Sequence, residues 1–346
     1  MAVRISKAIF DIALVVLMIA APTIARAVTY HVDAGGGGDY ETIQAGISAA
    51  SDGDTVLVAP GTYAGAGNRD LELGDADMVI FASGGPAVTT IDCQQAGRGF
   101  LLTGFITAST HIRGFTITNA RLTDTHGAGI YCVSGSPVIA DCIFDGNQND
   151  FNGGGIACVQ SSASIENCLF TGNSGYIGGA LYLVEFHGSV TDCAFFANAS
   201  QECGGGIYLG SCSGTVSFCS FARNEAPGCA TIACYDAVTQ INNCLVTHGV
   251  GCSGISCGGS GDPIVFHCLF FGNEGGDTPC GSHSDNLFVR PRFCDLAAGD
   301  LTLNEESVGL PAFNPWGERI GAYGQGCMSA PAVENATWGE VKVLYR

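Results

Sequence analysis

Apolar positions in the middle of the chain recur with a period far longer than any helical repeat. Cys142, Cys168, Cys193, Cys219, Cys244 and Cys268 are spaced by 26, 25, 26, 25 and 24 residues. Two residues after each stand Phe144, Phe170, Phe195, Phe221, Val246 and Phe270, and five after stand Asn147, Asn173, Asn198, Asn224, Gly249 and Asn273. Three residues before stand Ile139, Ile165, Val190, Val216, Ile241 and Val265. A second apolar block lies midway: Gly-Ile-Tyr-Cys at 129–132, Gly-Ile-Ala-Cys at 155–158, Ala-Leu-Tyr-Leu at 180–183, Gly-Ile-Tyr-Leu at 206–209, Thr-Ile-Ala-Cys at 231–234 and Gly-Ile-Ser-Cys at 254–257. Two short β-type blocks per unit of about 25 residues describe one coil of a solenoid. The pattern predicts an all-β, right-handed parallel β-helix in which each coil stacks on the last at the strand spacing.

Alternation along a strand assigns the faces. Ile130, Ile156, Leu181, Ile207, Ile232 and Ile255 point inward, and with them Cys132, Cys158, Leu183, Leu209, Cys234 and Cys257. In the other block the inward aliphatic and the inward Cys are three apart, so a bend lies between them. The residue before each of those cysteines is Asp141, Asn167, Asp192, Phe218, Asn243 or His267. Asn, Asp and His tolerate the left-handed backbone best. The column reads as a corner between two sheets, with Phe218 the exception.

Both ends leave the repeat. Ile43, Ile47 and Ala50 share one helical face, and Asp52-Gly53 stops the helix. An amphipathic helix here would cap the N-terminal end, with the strand Thr55–Ala59 following. The expected organisation is 1–27 signal peptide, 28–77 cap and first coil, 78–290 β-helix repeats, 291–327 C-terminal cap, and 328–346 linker and short tail. Arg4 and Lys7, the apolar stretch Ile12 to Ala21 and Ala25-Arg26-Ala27 make the signal pattern. That run is too short to be a membrane anchor of about 20 residues. The mature chain is expected to hold no transmembrane span and to be exported, to the outside or to the cell surface or outer membrane.

Eighteen cysteines then need sorting. The stacked columns read as small buried hydrophobes. Cys203, Cys229, Cys252 and Cys280 sit in loops before the Gly-rich block, where neighbouring coils come within disulfide range. Cys294 with Cys327 is a further candidate pair. C-x4-C at 229/234 and 252/257 alternates between faces wrongly for shared ligation, so no metal and no cofactor is expected.

Charge changes the picture of partners. Charged residues are 13% and the net charge is −19, becoming −21 once Arg4, Lys7, Arg26 and Asp11 leave with residues 1–27. Nucleic acid is excluded as an expected partner, since phosphate binding needs a basic patch. Between Gly127 and Val289 the only Lys or Arg is Arg223.

Ile43-Gln44 through Asp54-Thr55-Val56 and Pro60-Gly61-Thr62-Tyr63 resemble the N-terminal cap of pectin-lyase-like β-helix proteins. The Gly-Gly-Gly-Ile blocks paired with Phe-x-x-Asn at 144, 170, 195, 221 and 270 resemble the repeat of chlamydial polymorphic outer-membrane proteins. The resemblance spans roughly 30–327 and implies the fold. It implies polysaccharide lyase or glycosidase activity only by analogy.

Two functions fit these residues. The preferred one is a non-catalytic secreted or surface module, adhesin-like, that binds a glycan or a surface protein. Its support is the outward column Tyr131, Ala157, Tyr182, Tyr208, Ala233 and Ser256, whose tyrosines can stack on sugar rings or on each other. A second outward column, Ile143, Leu169, Ala194, Ser220, Leu245 and Leu269, is apolar, and marks either a partner interface or a surface covered by loops. The alternative is a lyase or glycosidase. A uronate lyase needs cations, of which the central coils hold Arg223 alone. A glycosidase needs two carboxylates about 5–9.5 Å apart, for which Asp150, Glu202 and Glu225 are the loop candidates. No EF-hand or Asp-rich nonapeptide points to calcium.

Overall fold

A computed structural model describes residues 26–328. Residues 1–25 of the expected signal peptide and the tail from 329 onward lie outside the described residues. The chain winds as a right-handed parallel β-helix with three main sheets. The first has eleven strands running in chain order from Thr29–Val32 to Ser282–Ser284. The second has nine, from Gly61–Ala64 to Leu269–Phe271. The third has eight, from Leu71–Glu72 to Ser253–Gly258. Every pairing in these three sheets is parallel and joins one coil to the next, for example Ile156 with Leu181 and Leu181 with Ile207.

Each coil is turned by single left-handed residues. Between the first and second sheets these are Asp141, Asn167, Asp192, Phe218, Asn243 and His267, with φ from +49° to +56°. Phe218 is therefore no exception to the column: its φ is +53°, and the Arg319 guanidinium lies 5.5 Å from its ring centroid. After the second sheet the corner residues are Gly146, Gly172, Ala197, Arg223, His248 and Gly272. After the third they include Ser134, Gln160, Glu185, Ser211 and Asp236.

The core is built of columns. The rings of Phe144, Phe170, Phe195 and Phe221 stack at 4.8, 4.9 and 4.5 Å, the rung spacing itself. The Cys142-to-Cys268 column is buried. Each thiol there donates to the carbonyl two residues back, Cys142 Sγ to Ala140 O at 3.2 Å for one. Burial pushes the thiols of Cys142, Cys168, Cys219 and Cys268 well up, and Cys93 up to about 12. Asn147, Asn173, Asn198 and Asn224 form a buried ladder. In it Nδ2 of each donates to Oδ1 of the next at 2.9–3.1 Å.

A helix spans Ile43–Ala49, N-capped by Thr42, whose Oγ1 accepts from Ala45 N. Ile43, Gly46 and Ile47 are buried. A Cβ on Gly46 would meet Val32 Cγ2 at 2.7 Å, so only glycine lets the helix come this close to the first strands. Among the described residues no helix is long and apolar enough to cross a membrane.

Residues 291–327, expected to cap the C-terminal end, lie along the side of the solenoid instead. They hold a three-stranded sheet of Phe293–Asp295, Asp300–Asn304 and Gln325–Cys327. Leu303, Leu310 and Ile320 bury Leu245 and Leu269, while Leu301 and Ala322 bury Ala194 and Ala222. The apolar outward column is thus covered by the chain itself. The physical reason is direct: an apolar stripe is hidden most readily by a segment already tethered beside it. Arg319 pairs with Asp192, Trp316 stacks on His267 at 4.3 Å, and Asn243 Nδ2 donates to Glu318 at 2.8 Å.

Candidate functional site

Two of the left-handed corner residues carry the chemistry. Arg223 and His248 stand at equivalent corner positions in successive coils, which brings them side by side on the rim of the second sheet. The chain then leaves the solenoid through Arg290-Pro291-Arg292 and returns over that rim. The result is a cleft of about 680 Å³ lined by His248, Arg290, Arg292, Phe293, Asp295 and Asn304, among others.

His248 is held against Phe271, ring centroids 5.6 Å apart, and its Nδ1 is buried with no hydrogen-bond partner. Burial first, then the charges of Arg223 and Arg290, push its pKa down; Asp277 opposes them. The imidazole is therefore neutral at neutral pH. Arg292 pairs with Glu306. Arg223 and Arg290 are exposed, and among the described residues neither has an ion pair, whereas Arg113, Arg121 and Arg319 each have one. Guanidiniums here can hold a carboxylate, and the neutral imidazole beside them can accept a proton.

Arg290 lies one residue beyond the cation-poor stretch from Gly127 to Val289. The cleft exists because 291–327 lies along the side of the solenoid and not over its end. A signal was present, since Arg223 and His248 occupy the same repeat position 25 residues apart.

The tyrosine column sits on the outer face of the third sheet. Tyr182 and Tyr208 stack at 5.5 Å with 12° between planes. Ala157 separates Tyr131 from Tyr182, and His126 fills that gap with its ring, 5.6 Å from Tyr131 and 5.1 Å from Tyr182. Arg98, mostly buried, lies 5.4 Å from the Tyr131 ring centroid and donates from Nη1 to His126 O at 3.1 Å. Burial, then Arg98, lowers the His126 pKa. Burial likewise raises Tyr131, Tyr182 and Tyr208. The stacking predicted between coils and the ring supplied by the chain leave only part of this column open.

The loop carboxylates have separate partners. Asp150 pairs with Arg121. Glu202 accepts from the Tyr176 hydroxyl. Glu225 bridges Ala199 and Val250 through its backbone. Among the described residues no group of three or more His, Cys, Asp or Glu is placed to hold a metal.

Three disulfides are present: Cys203–Cys229, Cys257–Cys280 and Cys294–Cys327. Cys252 departs from its expected role. Its thiol turns inward to Thr231 Oγ1 at 3.5 Å and stays free. Cys257 takes its place, because the inward column reaches the open end of the third sheet there, with no further rung to cover it. Cys280 packs over that end.

The model of a family described as "Right handed beta helix region" matches residues 80–191 and, in a second match, 105–293. A crystal structure of pectate lyase Pel9A superposes with a TM-score of 0.52 at 11% identity, covering 87% of this chain and 97% of that one. A mannuronic acid specific polysaccharide family 6 lyase from human gut microbiota aligns at 11% identity over 91% of this chain and 90% of that one, with a TM-score of 0.26. No curated protein matches the chain. At these identities the likeness shows the fold and nothing finer.

Proposed function

We propose, given that the chain belongs to the right-handed β-helix family, that it is an exported protein binding an acidic polysaccharide in the cleft at His248. One observation carries this reading: Arg290 and Arg292 line one cleft with His248, and the charge of Arg223 reaches the same imidazole, in a chain of net charge −19 that is short of cations. Carboxylates of a uronate chain are the complement of such a cluster. The three disulfides and the N-terminal signal pattern support export. The pectate lyase sharing the fold acts, by its name, on an acidic polymer.

A second reading, eliminative cleavage, is favoured by the depressed pKa of His248. Arginines on the uronate carboxylate would acidify the neighbouring C–H. His248 would take that proton, the electron pair would form the C=C bond, and the glycosidic oxygen would leave and pick up a proton from water. This needs no oxidant and no cofactor.

Calorimetry with polygalacturonate and alginate tests the binding. Arg290→Ala and Arg223→Ala are each expected to weaken it about tenfold, a loss of one charge-assisted contact. Ultraviolet absorbance of an unsaturated product tests cleavage, which His248→Ala should abolish. Binding without absorbance leaves a recognition module. No binding to either polymer overturns both readings.

A further inference from the structure

The ring stack on the third sheet is interrupted wherever its column holds a small residue. At Ala157 the chain fills the interruption with His126. On the far side of Tyr208 the column continues as Ala233 and Ser256, and among the described residues Tyr182 is the ring stacked on Tyr208. The space beyond is a pocket of about 100 Å³, with Tyr208, Ala233, Tyr235 and Ser256 in its lining. Tyr235 is 51% exposed. Its ring lies over Gly258, where a Cβ would meet Tyr235 Cδ2 at 2.6 Å, so glycine is what lets the ring lie there.

The pocket opens into a groove of about 510 Å³ lined by Gly228, Gly251, Ser253, Ser256 and Gly275. Cys229, Ser256 and Cys257 belong to both linings, so the two form one trough. No Asp, Glu, Lys or Arg lines either part. We infer that this trough binds an uncharged saccharide chain, with one pyranose ring on the open face of Tyr208 above Ala233. Aromatic faces accept the C–H face of a flat ring, as His126 already shows one gap earlier. Serine hydroxyls and glycine backbone along the groove suit a hydroxylated chain, and the apolar wall of Tyr208, Ala233 and Tyr235 suits the C–H face of its ring. The absence of charge separates this site from the arginine cleft, and its assignment does not depend on that cleft's.

The test is calorimetry and saturation-transfer NMR on the purified protein with the hexasaccharides of cellulose, laminarin, xylan and mannan. At least one should bind. Ala233→Tyr, which extends the stack with the chain's own ring, should weaken that binding at least about tenfold, as should Tyr208→Ala. Arg290→Ala should leave it unchanged. If Ala233→Tyr fails to fold by circular dichroism, Tyr235→Ala carries the same expectation. Silence from all four probes, or an Ala233→Tyr protein that binds like the parent, overturns the assignment. Binding of phenylalaninamide with no saccharide bound would make the pocket one for aromatic side chains and overturn it equally.

Discussion

Single residues do unusual amounts of work in a fold whose corners are one residue wide. At each first corner the thiol after the left-handed residue adds a second donor to a carbonyl that already accepts a backbone N–H from the neighbouring coil: Cys193 Sγ reaches Thr191 O, and Cys219 Sγ reaches Ser217 O, both at 3.2 Å. Valine would fill the space without the donor. The asparagine ladder serves backbone groups at the next corner. Asn198 accepts from Asn173 N at 3.0 Å and donates to Phe170 O at 2.9 Å, with no exposure to water. Asn198→Ala should therefore leave several buried polar groups unpaired and cost about 3 kcal/mol, read from urea unfolding. Only the first of these corners was legible beforehand, because its Asp and Asn residues announce themselves. The second corner includes Ala197 and Arg223, which are poor left-handed formers, and so reveals itself as a column only in three dimensions.

At the scale of elements, repeats and non-repeats behaved differently. The two blocks per coil predicted their strands and registers, down to Ile130 on Ile156 and Phe144 on Phe170. The segment 291–327 has no period, so nothing in it stated where it would lie. The apolar column Leu169, Ala194, Leu245 and Leu269 was the clue, and it pointed to a cover without naming which part of the chain supplies it. Leu245 is buried in that contact and stands outside the main core. Leu245→Asp should place an unpaired charge there and release the segment. Limited proteolysis is expected to cut within 291–327 early, while circular dichroism still reports a folded solenoid. Unchanged resistance would mean the segment is held by the Arg319–Asp192 pair and its neighbours alone.

At the scale of the whole molecule, the cysteines are divided by geometry. Six form disulfides near coil edges, at the end and in the C-terminal segment. Twelve stay as buried thiols, shielded from reagents by the core around them, and burial pushes Cys234 up to about 12. Alkylation of the denatured, unreduced protein should accordingly add twelve groups, and alkylation of the folded protein close to none. Fewer in the denatured protein would show bridging within the stacked columns. The charges are divided in the same way. A strongly acidic surface with Arg290 and Arg292 set together at one cleft is attractive to an anion only locally.

The sequence by itself determined the coil, its period, its inward columns and the first corner, because a repeated pattern of apolar and polar positions admits one stacking of strands. Tertiary structure alone decided the rest. It folded the C-terminal segment back along the apolar column and so joined Arg290 to Arg223 and His248. It put His126 into the gap at Ala157 and left the gap at Ala233 open. It chose Cys257 over Cys252, since only the former lies at an end with no rung above it. Each depends on contacts between residues far apart in the chain, and periodicity carries no information about them.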